Sequence, residues 1–515
     1  MRAAVGTIAA ALAMASLHVG PTWAQTSEAW KRCVNAEKAP PDVQINGCSA
    51  VIRSGRESSR NLAIAFNNRG NGYHAKKDYD RAISDYNEAL NLDPNYARAY
   101  YNRGISYADQ GLDDRAIEDY NRAIELSPRY AHAYGNRGLA YAHKRDFDRA
   151  IRDYDDAIRF DPNNATDYNN RGNAYYDKKD YDRAIADYDK AVERDPNYAT
   201  AFNNRGNAWY AKKDFDKAIL DYSRAIRINP QYGVAYANRG RAFREKGDPD
   251  SALDNLEQAV KYEPNNPRTL NDRGNAYHAR KDYERAIADY SRAIEIDPKF
   301  AFPYNNRGNS YADQRKDDLA IADYDKAIGL DPKYLDAYVN RGRAYVRRKD
   351  YDRALADFDA AIRINPDHAR ARYNRAEAYG AKYDFAHAIE DYDVLVRLQP
   401  GNAGVWNGRC WARAMIGADL KGALDDCNES LRLKPDVANT IDSRGLVNLK
   451  LGDLDAALAD YDKALSIDSK LAGSLWGRGV VKQKKGDSAG AEADFAAAKA
   501  IRADMADEWA SYNVK

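Results

Sequence analysis

One short string returns every 34 residues through most of this chain. A chain with that period folds as a stack of small units, each packed on its neighbours, and not around one central core. Asn-Arg-Gly stands at 68–70, 102–104, 136–138, 170–172, 204–206 and 238–240. The register continues through Asp272-Arg273-Gly274, Asn306-Arg307-Gly308, Asn340-Arg341-Gly342, Asn374-Arg375-Ala376, Gly408-Arg409-Cys410, Ser443-Arg444-Gly445 and Gly477-Arg478-Gly479. The step from Arg409 to Arg444 is 35, so one residue is inserted there. Thirteen units fill positions 63 to 505, which displaces the several-domain reading that 515 residues would otherwise suggest. The 72 residues outside them leave no room for a separate catalytic domain.

Each unit reads as two helices and a polar turn. In the first, Phe66, Gly70 and Tyr73 share one helical face, and Ala82, Tyr86 and Ala89 share a second after Lys76-Lys77-Asp78. Asp78 suits the N-cap of the second helix. Pro94 ends it, because a proline pushes the preceding residue out of helical geometry. Gly70, Ala82 and Ala89 fit as close-approach points where Phe66 and Tyr86 pack across two antiparallel helices.

This pattern resembles the tetratricopeptide repeat (TPR) family, matched at every position by Tyr168, Gly172, Tyr175, Ala184, Tyr188, Ala191 and Pro196. The resemblance covers 63 to about 505 and implies an all-α, right-handed superhelical solenoid of antiparallel helix pairs. Arg413, Asn448 and Lys482 replace the second aromatic in the last three units, where register and packing are less regular. Residues 25–62 read as a degenerate N-terminal repeat or cap, and 506–515 as a C-terminal cap.

Residues 1–24 read as a signal peptide: Arg2, an apolar run to residue 19, then Thr22-Trp23-Ala24 with the cut after Ala24. The mature chain is then expected to be periplasmic or secreted, with no direct insertion into a membrane. Four cysteines in such a compartment allow three pairings. The family's packing of a first-helix small residue against a second-helix aromatic implies Cys410–Cys427, and the similar spacing in the degenerate unit implies Cys33–Cys48. No Cys or His pair has metal-ligand spacing, so neither metal nor cofactor is expected.

In the family, the first helices line a concave face through positions 2, 5, 6, 9, 12 and 13. Position 6 holds Asn68, Asn102, Asn136, Asn170, Asn204, Asn238, Asn306, Asn340 and Asn374, interrupted by Asp272. An amide can bond both the C=O and the N–H of an extended peptide, so this row is expected to form a sequence-tolerant track, with a purely structural role as the alternative. Position 7 is Arg in all thirteen units and position 23 is Asp in twelve, with Asn255 the exception; this implies repeated Arg–Asp pairing, worth about 0 to 1 kcal/mol for each pair if exposed. Arg241, Arg244 and Arg268, and again Arg343, Arg347 and Arg370, form two basic spots suited to acidic partners, diluted by Asp109, Asp177, Asp313 and Asp336. Tyr101, Tyr176, Tyr210, Phe302 and Tyr373 also fall at groove positions.

With 79 Lys plus Arg against 78 Asp plus Glu, the charge is balanced and nucleic acid is not expected as a partner. There is no Gly-rich phosphate loop, HExxH or Ser/His/Asp set, so the chain is not expected to be an enzyme. The expected function is a protein–protein interaction scaffold that binds extended peptides, acidic ones included, in the concave groove during envelope complex assembly. An acidic polysaccharide-binding or export-associated scaffold is the alternative.

Overall fold

A computed structural model describes residues 28–34, 40–510 and 512; the signal-peptide reading of 1–24 lies outside them. Among the described residues there are twenty-nine helices and no strand, in two compact units that divide after Glu263. The first holds α1 (Glu28–Val34), α2 (Pro41–Arg53), α3 (Ser59–Ala75), α4 (Tyr79–Leu92), α5 (Ala97–Asp109), α6 (Asp113–Leu126), α7 (Ala131–His143), α8 (Phe147–Phe160), α9 (Ala165–Asp177), α10 (Tyr181–Arg194), α11 (Ala199–Ala211), α12 (Phe215–Ile228), α13 (Gly233–Glu245) and α14 (Pro249–Tyr262). The second holds α15 (Pro267–Ala279), α16 (Tyr283–Ile296), α17 (Ala301–Asp313), α18 (Asp317–Leu330), α19 (Leu335–Arg347), α20 (Tyr351–Ile364), α21 (Ala369–Ala381), α22 (Phe385–Leu398), α23 (Ala403–Ile416), α24 (Leu420–Leu433), α25 (Ala438–Leu451), α26 (Leu454–Ile467), α27 (Ala472–Lys484), α28 (Ser488–Ile501) and α29 (Met505–Ala510).

Local chemistry sets the helix ends. Asp78 caps α4 by accepting from the Arg81 N–H at 3.3 Å, and Asp146, Asp180 and Asp214 do the same for α8, α10 and α12. The residue before each of these caps is left-handed, with φ near 62° at Lys77 and Arg145. Asp93 is extended ahead of Pro94, and α4 stops at Leu92.

Within a pair, glycine and tyrosine interlock. A Cβ on Gly70 would sit 2.7 Å from Tyr86 Cε1, and Gly172 and Gly206 face Tyr188 and Tyr222 at 2.7 and 2.6 Å. These tyrosines are 1% exposed, so the glycines are needed to let the two helices approach. In α23 and α24 a disulfide replaces that contact, joining Cys410 to Cys427, and a second joins Cys33 to Cys48 across α1 and α2. The extra residue falls at the end of α23, where Gly417 adopts φ 75°.

Arginine bolts the pairs together. Arg171 grips Asp187 with both edges of its guanidinium, Nε–Oδ2 2.8 Å and Nη2–Oδ1 2.5 Å, while Nη1 reaches back to Asp155 of the preceding pair at 2.6 Å. Arg205 repeats this with Asp221 and Asp189. The pairing holds from Arg69–Asp85 to Arg478–Asp494, spanning both the pair and its neighbour. These are not the exposed pairs the sequence suggested: the Asp187 and Asp221 side chains are 7% and 4% exposed. Arg239 instead meets neutral Asn255 at 2.7 Å, and burial lowers its pKa. The irregular residues of the last units join the same bolts: Arg413 donates to Asp426 and Asn448 to Asp460, while Lys482 pairs with Asp494.

Successive first helices pack on one another, α3 on α5, α9 on α11, α15 on α17 and α23 on α25. Successive second helices show no comparable packing. Within each unit the first helices therefore line the inner side, and their positions 5, 6 and 9 form one continuous face.

Candidate functional site

The amides of that face are wired in a fixed direction. Asn204 Nδ2 donates to Asn169 Oδ1 at 3.0 Å and Asn173 Oδ1 at 3.1 Å, and Asn238 Nδ2 donates to Asn203 Oδ1 and Asn207 Oδ1 at 2.8 and 3.0 Å. Asn102, Asn306 and Asn340 reach back in the same way to Asn67, Asn271 and Asn305, and Asn136 to the Tyr101 hydroxyl. Asn68 and Asn170 accept from Asn67 and Asn169. Position 6 therefore works first as a tie between units.

Arginine settles which end of each amide is which. An arginine can only donate, so the bond from Arg241 to Asn238 Oδ1, and that from Arg370 to Asn340 Oδ1 at 2.8 Å, turn the NH2 groups of Asn238 and Asn340 toward the preceding unit. Asn207 must then present its oxygen to Asn238.

Buried tyrosines complete the arrangement at position 9. Tyr188 and Tyr222 donate to Asn173 Oδ1 and Asn207 Oδ1 at 2.8 and 2.9 Å, and Tyr86, Tyr290 and Tyr324 to Asn71, Asn275 and Asn309. Asn173 Oδ1 and Asn207 Oδ1 each accept two bonds, and among the described residues no group accepts from their Nδ2 atoms. These half-buried side chains hold out an NH2 donor in a fixed pose. For asparagine the sequence reading stopped at position 6, although the signal was three residues further on, directly after Arg-Gly: Asn-Asn-Arg-Gly-Asn stands at 67–71, 169–173, 203–207 and 305–309.

The basic residues divide by partner. In the first unit Arg241 holds Asn238 and Arg244 holds Glu245 at 2.8 Å. In the second, Arg268 is exposed and Arg370 holds Asn340. Arg347 is paired with Asp317 at 2.5 Å, because the end of α19 lies over the first turn of α18, so its charge is matched inside the protein. Among the described residues Arg343 makes no ion pair, and burial together with Arg370 and Arg347 lowers its pKa against the opposing pull of Asp313. It lines a cavity of about 320 Å³ with Asp313, Arg315, Arg347, Asn374 and Glu377. Asn374 Nδ2 is buried without an acceptor. The cavity thus offers an unpaired guanidinium and an unmet amide donor, a match for a carboxylate.

The groove aromatics also differ in availability. Phe302 is 53% and Tyr373 39% exposed, whereas Tyr101 packs at a tilt against Tyr130 with ring centres 4.8 Å apart. Tyr176 packs at a tilt on Tyr181, and Tyr210 edgewise on Phe215. At the carboxylates, Asp109 and Asp313 sit beside His74 and His278.

Models described as the tetratricopeptide repeat match residues 97–130, 131–164, 169–233, 238–299, 305–367 and 339–403. One described as the TPR repeat matches 70–111 and 445–486, and the matches together span well over half of the chain. No curated protein matches. Among solved structures, the chain is similar to one in the APC/C hetero-tetramer Cut9-Hcn1, at 14% identity over 89% of this chain and 97% of that one, with a TM-score of 0.45. It is similar to YrrB, a TPR protein with an unusual peptide-binding site, at 27% identity over 36% of this chain and 95% of that one, TM-score 0.31. The third is pilF of Pseudomonas aeruginosa, at 20% identity over 40% and 93%, TM-score 0.37.

Proposed function

The chain belongs to the tetratricopeptide repeat family and is a protein–protein interaction scaffold, and on that premise we propose that its first-helix face holds extended peptide segments of partner proteins during assembly of envelope complexes. The observation that carries this reading is the fixed donor at Asn173 and Asn207. An amide whose oxygen is already saturated recognises a carbonyl by its NH2 alone, and a row of such donors suits the main-chain carbonyls of an extended segment whatever its side chains. The position-6 row contributes by holding the units in register. Arg343 and Asn374 add a place for an acidic side chain of the same segment.

The disulfides support an oxidising compartment, since bridges such as Cys33–Cys48 and Cys410–Cys427 persist where the surroundings oxidise. Among the described residues no helix is long and apolar enough to cross a membrane. An exported scaffold fits both observations.

Arrays of extended synthetic peptides from envelope proteins test the reading with the full chain. Asn173→Asp with Asn207→Asp keeps the oxygens that Tyr188, Tyr222, Asn204 and Asn238 need, and replaces the outward donor by an acceptor. Peptide binding is expected to fall at least tenfold with folding unchanged. Binding that survives the double substitution overturns the assignment of the peptide to this row.

A further inference from the structure

Position-6 asparagines are tied to acceptors in the preceding repeat, and at α21 those acceptors are missing. Asn204 donates to the position-5 and position-9 oxygens before it, those of Asn169 and Asn173, and Asn306 and Asn340 donate to Asn271 and Asn305 at position 5, at 2.9 and 3.0 Å. The same register sets Asn374 against Val339 and Arg343. Neither can accept, because valine has no polar side-chain atom and a guanidinium only donates. Asn374 Nδ2 is accordingly buried without an acceptor, while Arg343 is exposed and makes no ion pair among the described residues. Arg241 is the other position-9 arginine, and the chain puts an acid, Asp272, at the next position 6; after Arg343 it keeps asparagine. Two donors therefore line one cavity of about 320 Å³, and an oxygen from outside the chain would satisfy both.

The charges around that cavity say what else such a ligand carries. Arg347 is matched by Asp317, which leaves Arg343 and Arg315 against Asp313 and Glu377, two charges of each sign in the lining. A bare anion drawn to Arg343 meets two carboxylates at the same rim, so its net attraction is small. Glu377 follows Asn374 by just under one turn of α21 and is exposed. Its Oε1 accepts from the Tyr392 hydroxyl at 2.5 Å, and among the described residues nothing donates to its Oε2. Asp313, with His278 at 3.2 Å, has a side chain 52% exposed. The cavity thus sets two donors beside two reachable acids.

We propose that this cavity binds a carboxylate with an ammonium group close beside it, the chemistry shared by a free α-amino acid and by an acidic residue next to a lysine in a partner segment. Arg343 and Asn374 take the carboxylate, and Glu377 and Asp313 take the ammonium. A carboxylate oxygen stands where Asn169 Oδ1 stands for Asn204, as the missing acceptor of the register. The inference rests on the reading of Arg343 and Asn374 as a carboxylate site and deepens it; it is independent of the amide row at Asn173 and Asn207.

Titration calorimetry on the full chain tests this with three probes: free alanine, the blocked peptide Ac-Ala-Glu-Lys-Ala-NH2, and Ac-Ala-Glu-Ala-Ala-NH2, which has the acid alone. At least one dipolar probe is expected to bind at least tenfold more tightly than the acid-only peptide. Alanine as that probe marks a free amino acid as the source, and the Glu-Lys peptide marks a segment. Arg343→Met, which keeps the apolar stem, should weaken the dipolar probe at least tenfold. Glu377→Gln with Asp313→Asn keeps an acceptor for Tyr392 and should abolish the preference, weakening the dipolar probe and strengthening the acid-only peptide. Asn173→Asp with Asn207→Asp should change none of these affinities, so a failed amide row is told apart from a failure here. Equal binding of dipolar and acid-only probes overturns the proposal and leaves the carboxylate site standing; no binding by any probe, or binding that survives Arg343→Met, overturns both. Should circular dichroism show that Arg343→Met loses helicity, the Glu377 and Asp313 variant decides: a preference that survives it overturns the proposal.

Discussion

The stretch α9 to α12 and the stretch α23 to α28 share a framework and differ in the face built on it. Both bolt each helix pair with a buried, bidentate Arg–Asp contact, Arg171–Asp187 in one and Arg409–Asp426 in the other. Both cap the second helix with aspartate, Asp180 and Asp419. In the first stretch the inner face is amide, with Asn173 and Asn207 holding out donors; in the second it is Trp411 and Leu446, covered by the chain's own Tyr512. Framework residues point between helices and must fit their neighbours, whereas face residues meet only what lies in the groove. A solenoid can therefore vary its binding chemistry along its length without changing its fold.

The largest effect should come from breaking the shared framework. Asp187→Ala leaves Arg171 buried with Asp155 as its remaining carboxylate, and removing one member of a buried pair costs about 3–5 kcal/mol. Asp426→Ala should cost at least as much, because Arg409 and Arg413 both converge on that acid. Urea denaturation of the two variants measures both losses. A loss below about 1 kcal/mol at either site would mean that the pair behaves as an exposed one and that the framework is not common to the two stretches.

Next is the disulfide that only the second stretch carries. Cys410–Cys427 closes a 17-residue separation, for which chain entropy predicts about 3 kcal/mol. Cys410→Ala with Cys427→Ala should lower stability by that order, as read by urea denaturation. The site of the glycine–tyrosine interlock is otherwise empty of an aromatic here, so the bridge does the packing that Tyr188 does in α10.

A third test belongs to the amide side of the comparison. Asp167 on α9 is 4% exposed and held by Asn164 Nδ2 at 2.7 Å, and burial pushes its carboxyl up to about 7. A carboxyl raised in the folded state binds a proton that the unfolded chain releases near pH 4, so stability is greatest at low pH and declines as pH rises toward 7. Between pH 5 and 8 the decline should be roughly 2–3 kcal/mol. Asp167→Asn should flatten that part of the profile and raise the melting temperature at pH 8. Gly135 leaves the room for this carboxyl, since a Cβ there would lie 2.6 Å from Asp167 Oδ1. An unchanged profile would show that Asp167 is ionised and solvated.

Sequence periodicity made the helix pairs legible because it records contacts inside one unit. Gly70 against Tyr86, the Asp78 cap and the stop at Asp93-Pro94 are all contacts between residues close in the chain or fixed by the period. The Arg–Asp matching was visible for the same reason. Its burial was not, because that depends on the preceding pair closing over the guanidinium. The direction of the amides was also hidden: it is set by Tyr222, Asn238 and Arg241 together, three side chains from two units, and no one-residue pattern encodes it. The covering tail is the extreme case, since nothing in the period relates Tyr512 to Trp411.

The smallest effect is the most discriminating, because it separates the two asparagine rows. Asn204→Ala removes the tie to Asn169 and Asn173 and should cost about 1 kcal/mol, the usual net value of such hydrogen bonds, with peptide binding reduced only in proportion to any loosening. Asn173→Asp keeps the acceptor for Tyr188 and Asn204, so its stability should stay within about 0.5 kcal/mol, as for surface changes that break no buried contact. Its peptide binding should nonetheless fall severalfold, since the outward donor has become an acceptor. Stability falling at Asn204 with binding kept, and binding falling at Asn173 with stability kept, would assign framework to position 6 and recognition to position 9. The reverse pattern would return recognition to position 6. It would also make the tyrosine-held amides part of the framework that the two stretches share.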